Sequence, residues 1–210
     1  KIDYNIIFND IVDKLQITKN SSLLDIGCGS SKLTQKIINY SEQNKIKLSL
    51  NDIDPVTNFL KKNYHKKDIK YISGMFHNIK LKQKFDFILI YSVIHYIQNP
   101  EAFVSKAFKM LKNNGRILIG DIPNINKKAR FMMSKKGWLF EGKNYNYKDY
   151  KDYKDFMKKN KKLRNDINDN LIRKLFDIYR KKKCNFYILE QHKRLPSCFT
   201  REDILIEKLS

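Results

Sequence analysis

One short stretch, residues 23–34, constrains the fold more than any other part of this 210-residue chain. It consists of an apolar run, two glycines, two serines and the start of a helical pattern, in the order LLDIGCGSSKLT. The apolar run suits a buried strand, while Gly27 and Gly29 permit a tight turn that a ligand approaches closely. Ser30 or Ser31 can cap the following helix. A strand, a glycine turn and a helix N-terminus in this order predict a nucleotide-type cofactor site in an open α/β sheet.

The residue after the turn argues against a dinucleotide. The dinucleotide fingerprint has a third glycine for close helix–strand packing, and Lys32 stands in its place. The stretch instead resembles motif I of the class I S-adenosylmethionine (SAM)-dependent methyltransferases, apolar-Leu-Asp-apolar-Gly-Cys-Gly. The resemblance implies that SAM is the cofactor, that the glycines contact its methionine end and that the strand acid organises the loop. The candidate cofactor residues here are Asp25, Gly27, Cys28, Gly29 and Ser30.

A second strand pattern, residues 47–52, ends in acidic residues. A carboxylate about 20 residues beyond the glycine turn can accept hydrogen bonds from both ribose hydroxyls. Asp52 lies at that distance and matches the acid of the family pattern Asp-x-x-Pro, so we expect Asp52 and the adjacent Ile53 to bind the cofactor. Asp54 is the alternative, although its position before Pro55 favours a role as a helix cap.

Two further stretches extend the resemblance. Residues 68–76 predict a third strand and its exit, where many members of the family have an acid after the glycine. This chain has Met75 and Phe76 there, which predicts that adenine is held by stacking and by backbone contacts. Residues 85–96 resemble the family's fourth motif, with a strand buried on both faces, and imply that Tyr91 and Ser92 lie against the cofactor.

The remaining pattern predicts helices over residues 4–15 and 100–111, a turn over 112–116, and strands over 117–120, 185–190 and 202–209. Apolar strands that alternate with helices indicate a parallel sheet with right-handed crossovers. The resemblance implies a Rossmann-like, doubly wound α/β fold. Its sheet has seven strands, mostly parallel, with an antiparallel strand seven between strands five and six. The length of the chain suits a single domain, residues 1–210.

Residues 126–183 differ in character from the rest of the chain. They hold 20 Lys or Arg and 7 Asp or Glu, a net charge of +13 out of +21. Tyr147, Tyr150, Tyr153 and Phe156 recur every third residue, which favours the aromatic face of a surface helix. The alternative is an acceptor-binding lid, because the family carries variable insertions between strands five and six. Residues 165–181 predict a second amphipathic helix whose inward residues are Ile167, Leu171, Ile172, Leu175, Phe176 and Tyr179.

Candidate catalytic residues follow from the chemistry of methyl transfer. The protein must align the acceptor and, for a hydroxyl, remove its proton, a task that suits histidine near neutral pH. His95 follows the Tyr91–Ser92 wall, and His192 lies in the loop 191–196, which we expect at the carboxyl edge of the sheet. A site without a dedicated base is a further alternative. Asp121 could orient a histidine or the substrate, or could cap a turn before Pro123.

Missing patterns narrow the reaction. The family's Asn-Pro-Pro-Tyr-like segment for amino groups and its Pro-Cys nucleophile for cytosine do not follow strand four, and the acids of its Mg²⁺-dependent members do not match. The three cysteines form no CxxC pair, so neither a disulfide framework nor a zinc site is indicated. We therefore expect metal-independent O-methylation. No apolar run approaches the roughly 18 residues of a membrane span and no signal pattern opens the chain, so we expect a cytoplasmic protein.

The acceptor is the least constrained feature. The C-terminal half loosely resembles small methyltransferases of bacterial surface-polysaccharide clusters, which implies an anionic or phosphorylated sugar, nucleotide-activated or phosphoramidate acceptor. Arg130, Trp138 and Arg194 are the candidate substrate-binding residues. The net charge of +21 has two explanations, compositional drift in a chain rich in Lys, Asn and Ile, which we favour, or a polyanionic partner. RNA methylation and a catalytically silent partner subunit are the alternatives, and the sequence carries no indication of the oligomeric state.

Overall fold

The computed structural model describes residues 2–64, 68–140, 151, 155 and 167–210. Its strands form a seven-stranded sheet in the order β3-β2-β1-β4-β5-β7-β6. Strands β1 to β5 pair in parallel, and β7 runs antiparallel to both β5 and β6. The predicted fold class, including the antiparallel strand between strands five and six, is confirmed.

The strands are β1 (Ser22–Ile26), β2 (Lys47–Asp52), β3 (Ile69–Ser73), β4 (Phe85–Tyr91), β5 (Leu111–Pro123), β6 (Cys184–Glu190) and β7 (Arg201–Lys208). The helices are α1 (Tyr4–Leu15), α2 (Lys32–Gln43), α3 (Asp54–Asn63), α4 (Pro100–Lys109), α5 (Ile125–Met132), α6 (Lys135–Phe140) and α7 (Asp169–Lys181), with a 3₁₀ turn at Ile94–Tyr96. Within the described ranges, every helix is too short or too polar to cross a lipid bilayer.

The central strands are buried on both faces, because helices cover the sheet on each side. Alternate residues of β1 and β4 enter two separate apolar cores. Leu24 and Ile88 pack in one core with α4 and α7. Leu23 and Leu89 pack in the other with α1, α2 and α3. This burial explains why the strands appear in the sequence as continuous apolar runs.

The strand order reverses at β1. Strand β2 lies on one side of β1 and β4 on the other. In open α/β sheets, such a reversal leaves a crevice at the carboxyl ends of the strands, where ligands bind. The glycine turn follows β1 directly, so the motif that first indicated a cofactor lies at this crevice.

Two local predictions need correction. Helix α4 ends at Lys109 rather than at residue 111, because Leu111 already pairs with Phe85 as the first residue of β5. The predicted turn over residues 112–116 is therefore an irregular part of β5, with a register shift opposite Phe85 and Phe87. Asp54 does not cap α3. It is the first helical residue, and Ile53 takes the N-cap position without a side-chain hydrogen bond.

The basic segment 126–183 is described in part. The aromatic repeat Tyr147, Tyr150, Tyr153 and Phe156 lies outside the described residues. Helix α7 buries Ile172, Leu175 and Tyr179 in the main core, so it belongs to the layer that covers the sheet. Phe176, expected to point inward, is 41% exposed, and its ring instead contacts Phe186 edge to face.

Candidate active site

A cavity of about 300 Å³ lies at the carboxyl ends of β1, β2, β3 and β4. We call it the first cavity. The turn after β1 contributes Gly27, the end of β2 contributes Asp52 and Ile53, and the residue after β4 is Ser92. Its remaining wall is Ile26, Asn51, Gly74, Met75, Phe76, His77, Val93, Tyr96, Ile97 and Phe103.

The glycine turn requires both of its glycines. Gly27 has φ of +70°, and a Cβ there would lie 2.5 Å from Val93 Cγ2. Gly29 has φ of +61°, but a Cβ there would meet no atom within 4 Å. The backbone beside Gly29 is therefore open to a ligand, whereas Gly27 is closed by the chain itself. A backbone surface of this kind is what a cofactor cradle needs.

The carboxylate of Asp52 joins the two halves of the turn. One oxygen accepts a hydrogen bond from the Gly29 N–H and the other from the Ile53 N–H, both at 2.8 Å. Each carboxylate oxygen has a second lone pair, so Asp52 retains the capacity to accept ligand hydroxyls at the cavity wall. The placement agrees with the role proposed for Asp52 from its spacing.

Two residues that the sequence reading missed support the same turn. The Asn51 carbonyl accepts hydrogen bonds from the N–H groups of Gly27 at 2.8 Å and Cys28 at 3.1 Å. The Asn51 side chain donates to the carbonyls of Ile72 and Gly74, which ties the turn to the exit of β3. The Thr34 hydroxyl donates to the Cys28 carbonyl at 2.6 Å. These polar residues adjoin the motif but are not part of its glycine pattern.

Asp25 lies behind the turn and is almost fully buried. Burial, and then the neighbouring Asp52 carboxylate, raise the pKa of Asp25 to about 7. Burial followed by the charges of Asp25 and Asp52 raises the pKa of the Cys28 thiol well above its usual range, so Cys28 is a neutral thiol. Hydrogen bonds with Asp52, Asn51 and Thr34 organise the loop, while Ser30 is exposed and Ser31 caps α2.

The far end of the first cavity is aromatic. Phe76 is buried and packs edge to face on Phe103 with 5.1 Å between ring centroids, whereas Met75 is 51% exposed. An adjoining groove of about 590 Å³ continues along α4 past Tyr96 and Lys106. The Lys106 ammonium donates to the carbonyls of His77 and Ile79, and so holds the loop after β3. This wall suits a flat ring held by stacking.

A second cavity, of about 170 Å³, also lies at the end of β4. Ser92 lines the first cavity, and the preceding residue, Tyr91, lines the second. A side chain on Gly120 would collide with the Tyr91 ring, whose carbon Cδ2 lies 2.5 Å from the position of such a Cβ. The other residues of the second cavity are Ile2, Ile7, Asp121, Gln191, Leu195, Pro196, Ser197 and Arg201.

A polar network forms one wall of the second cavity. Asp121 has φ of +60°, an uncommon conformation for a residue other than glycine, and forms an ion pair with Arg201. The Gln191 amide donates to the other oxygen of Asp121 at 3.1 Å. Asp203 accepts the Asp121 N–H at 2.8 Å and the Lys14 ammonium at 2.7 Å. These contacts hold Asp121 in its strained conformation. Asp121 does not cap the next helix, because the N-cap of that helix is Asn124.

His95 lies in the 3₁₀ turn after β4 and is half-buried. Burial, and then the charge of Arg201, lower the pKa of His95, while Asp121 acts in the opposite direction. His95 is therefore neutral at pH 7 and competent to accept a proton. Its Nδ1 is buried and finds no hydrogen-bond partner within the described part of the chain. His95 itself lines neither cavity, although Asp121 and Arg201, whose charges act on its pKa, line the second one.

Apart from Asp121, the predicted catalytic and substrate-binding residues do not line either cavity. The loop 191–196 reaches the expected edge of the sheet, but it lines the second cavity with Gln191, Leu195 and Pro196. His192 and Arg194 are exposed, and His192 Nδ1 accepts the Arg194 N–H at 3.3 Å. Arg130 pairs with Asp169 at 2.6 Å, which joins α5 to α7.

Trp138, the third predicted substrate-binding residue, is half-buried in α6 and packs against Phe131 and Met132. Its cluster lies beside α5 and includes Phe199 of the loop before β7. The residue that lines the second cavity from β7 is instead Arg201. Among the described residues, no group of three His, Cys, Asp or Glu side chains is placed to hold a metal ion.

Residues 24–119 match a protein-family model described as a methyltransferase domain. The matched range begins in β1 and ends in β5, so it includes the glycine turn, Asp52 and the whole of β4. This part of the chain therefore resembles a methyltransferase domain. The matched range contains the whole wall of the first cavity, whereas Gln191 and Arg201 of the second cavity lie beyond it.

Two curated relatives resemble about half of this chain in sequence. The chain is 32% identical over 105 residues to a ubiquinone biosynthesis O-methyltransferase of Pelagibacter ubique, a match that covers 50% of this chain and 43% of that protein. It is 24% identical over 110 residues to the putative methyltransferase 235L of Invertebrate iridescent virus 6, covering 52% and 40%. The chain therefore spans less than half the length of these curated relatives.

Solved structures resemble the chain over its whole length. The plantazolicin methyltransferase BpumL, crystallised with a triazolic desmethylPZN analogue and S-adenosylhomocysteine (SAH), matches with a TM-score of 0.66 at 13% identity, covering 100% of this chain and 87% of that one. The N-methyltransferase NodS from Bradyrhizobium japonicum, also with SAH, matches with a TM-score of 0.62 at 11% identity, covering 96% and 85%. At such identities the likeness shows the fold.

The residues of the first cavity fit SAM. The turn beside Gly29 offers open backbone to the cofactor, and Asp52 offers carboxylate lone pairs at a cavity wall. The aromatic end offers Phe76 and Tyr96 to a flat base. The carboxylate of Asp52 at the cavity wall is also compatible with the positive charge that SAM carries.

Proposed function

We propose that the chain transfers the methyl group of SAM to a hydroxyl oxygen of a small acceptor, with SAM in the first cavity and the acceptor in the second. The observation that carries this proposal is that Ser92 lines the first cavity and the preceding residue, Tyr91, lines the second, both at the end of β4. We propose that the two bound molecules meet beside these two residues. Alignment of two reactants can supply several kcal/mol of the rate acceleration in a displacement of this kind.

SAM, when bound, supplies a methyl group activated by a positively charged sulfur. The chain itself holds the cofactor through the glycine turn and Asp52, with Met75, Phe76 and Ile53 along the cavity wall. His95 is the proposed proton acceptor, because it is neutral at pH 7 and its electrostatic partners, Asp121 and Arg201, line the second cavity. Asp121 is proposed to orient the hydroxyl of the acceptor. No metal ion is required for these steps.

An anionic acceptor, such as a phosphorylated intermediate of surface-polysaccharide synthesis, remains part of the proposal. Its support is the presence of Arg201 in the second cavity and the high positive charge of the chain. The relatives named above include enzymes with O- and N-methyltransferase names, so the acceptor atom is proposed from the neutral histidine and not from those names. The cytoplasmic location and the lid role of residues 126–183 stay predictions.

RNA methylation is the second candidate, and the net charge of +13 over residues 126–183 favours it. Binding of RNA through its phosphates would weaken steeply as salt concentration rises. Filter binding of a single-stranded RNA at increasing salt concentrations therefore separates the two candidates. A catalytically silent subunit would bind SAM without turnover of any acceptor.

Calorimetry of SAM binding tests the proposed donor site. Substitution of Asp52 by Ala removes an ionised acceptor, so we expect affinity to fall by about 2–3 kcal/mol, roughly 30- to 150-fold. Asp54→Ala is the matched control, because Asp54 is also a carboxylate but lies in the first turn of α3, outside the first cavity. Its affinity is expected to stay within about twofold of the unsubstituted chain. Undiminished binding in Asp52→Ala, or no binding of SAM by the unsubstituted chain, would contradict the proposal.

A further inference from the structure

We infer that Arg201 recognises the acceptor, and that the acceptor presents a carboxylate or a phosphate to this guanidinium from a group no larger than a single ring. The inference rests on the proposed function, which places the acceptor in the second cavity. It adds which N–H donors of Arg201 bind the anionic group and how large the part of the acceptor inside the cavity is. Neither the glycine motif nor the matched family range includes Arg201.

The first argument is the number of free donors on Arg201. A guanidinium carries five N–H donors in a planar fork. In the structure, Nη1 donates to Asp121, while Nε and Nη2 contact no acceptor among the described residues. The side chain is 30% exposed and lines the second cavity. The unused edge of the fork matches the two oxygens of a carboxylate or phosphate, the geometry that gives the strongest charged hydrogen bonds.

The second argument is that Arg201 is held in advance. Asp121 holds one side of the guanidinium, and Asp121 is itself fixed by Asp203 and Gln191. Lys14, which is mostly buried, closes the network by pairing with Asp203 at 2.7 Å and with Asp10 at 2.6 Å. A side chain that is already ordered loses little conformational entropy when a ligand binds. The charged groups of the network therefore orient Arg201, while Nε and Nη2 of Arg201 remain free to donate to the ligand.

The third argument is size. The second cavity has a volume of about 170 Å³. Benzene occupies an engineered protein cavity of about 150 Å³, so the part of the acceptor that lies within the second cavity is about the size of a six-membered ring. Ile7, Leu195 and Pro196 supply apolar contacts for the ring, and Tyr91 lines the same cavity. The site thus suits a ring or short chain that carries one anionic group and one hydroxyl.

The other arginines proposed from the sequence do not compete for this role. Arg130 forms its ion pair with Asp169 on α7, and Arg194 is exposed outside both cavities. The high net charge of the chain consists mostly of lysines, which bind phosphate as point charges without the planar fork. Recognition by Arg201 is therefore a property of one position in the fold and does not depend on the overall charge.

The test uses the SAH-loaded protein and three probes, namely benzoate, inorganic phosphate and phenol. Benzoate and phosphate separate a carboxylate from a phosphate as the preferred anion, and phenol is the neutral ring of matching size. We expect one of the two anions to bind more tightly than phenol, as measured by calorimetry. In Arg201→Gln, binding of that anion is expected to weaken at least about tenfold. Arg201→Lys is expected to give an intermediate loss, because it keeps the charge but not the fork.

Arg180→Gln is the matched control, since Arg180 is exposed on α7, which covers the opposite face of the sheet. Its anion affinity is expected to equal that of the unsubstituted protein. SAH affinity is measured for every variant, because retained SAH binding shows that the variant is folded and that the proposed donor site is intact. Equal anion binding in Arg201→Gln, phenol binding as tight as that of both anions, or no binding of either anion would overturn the inference. Loss of SAH binding in the unsubstituted protein would instead overturn the proposed function.

Discussion

The first and second cavities share one edge of the sheet, but the chain assembles them differently. The wall of the first cavity comes largely from short stretches that directly follow β1, β2, β3 and β4, and its key contacts are backbone N–H groups and the Asp52 carboxylate. The second cavity joins Ile2, Tyr91, Asp121, Gln191 and Arg201, which span almost the whole length of the chain. One cavity depends on local turn geometry and the other on the packing of distant elements.

This difference suggests how a methyltransferase domain keeps its cofactor while its acceptor changes. The proposed donor contacts rest on a positive φ at two glycines and on one carboxylate at a strand end, which short stretches of sequence supply. The second cavity is set by which side chains happen to project from α1, β5, β7 and the loop before β7. We therefore expect substitutions in one cavity to leave the other largely unchanged, and the following experiments examine that independence.

The largest effect is expected for Asp203, the buried hub behind the second cavity. Asp203→Ala removes a charged hydrogen bond from Lys14, which keeps Asp10, and leaves the Asp121 N–H without its acceptor, so we expect a loss of about 3–5 kcal/mol in the free energy of unfolding. Asp203→Asn retains an acceptor for the Asp121 N–H and is expected to lose less. Denaturant unfolding measures both variants. SAH affinity in Asp203→Asn is the readout of independence, and a parallel fall in that affinity would contradict it.

The two glycines of the turn are expected to respond differently to alanine. In Gly27→Ala, the new methyl would lie 2.5 Å from Val93 and the backbone keeps a positive φ, so we expect a loss of about 2–4 kcal/mol in stability. In Gly29→Ala, the added methyl meets open space, and the expected cost is about 1 kcal/mol from backbone strain alone.

The Gly29 variant is also expected to bind SAM less tightly, because its methyl occupies space next to the turn. Adding Val93→Ala to Gly27→Ala should restore part of the lost stability by removing the colliding methyl groups. Thermal or denaturant unfolding measures these differences. Equal destabilisation by the two glycine substitutions would show that the loss of stability comes from the positive φ and not from the contact with Val93.

The smallest effect concerns the protonation of His95. Burial and Arg201 lower the pKa of His95, so its imidazole should titrate below the ordinary histidine value when followed by NMR. Removal of the positive charge in Arg201→Gln should raise this pKa, whereas Asp121→Asn should lower it further. If His95 is the proton acceptor, activity is lost as the pH falls through its pKa. If the pKa of His95 is the same in both variants, the charges of the second cavity do not influence it, and the prediction is wrong.

Much of the first cavity could be predicted from the sequence. The glycine turn, the position of Asp52 and the run of strands each follow from residues that are close together in the chain. Met75 and Phe76 were also expected at the wall that they line. Asn51 and Thr34 escaped notice because a buried asparagine or threonine at a strand end or in a helix has no distinctive spacing.

The second cavity could be predicted only in outline. The loop 191–196 was expected at the correct edge, but nothing in its sequence indicated that Gln191 faces inward while His192 and Arg194 face solvent. Asp121 was singled out because it ends a predicted strand. Tyr91 was expected against the cofactor from the resemblance to the family's fourth motif, but it lines the second cavity. Arg201 was not singled out, because it is the first residue of β7. The sequence alone does not show that the start of this antiparallel strand lies at the carboxyl edge of the parallel strands.

The sequence by itself therefore determined the fold class and the cofactor, and it predicted the residues that line the first cavity in large part, because backbone conformation and strand burial are local properties that nearby residues dictate. The tertiary structure alone decided which side chains meet around the acceptor. Ion pairs such as Asp121–Arg201 and Lys14–Asp203 join positions that are distant in the chain, and only the antiparallel insertion of β7 beside β5 brings them together.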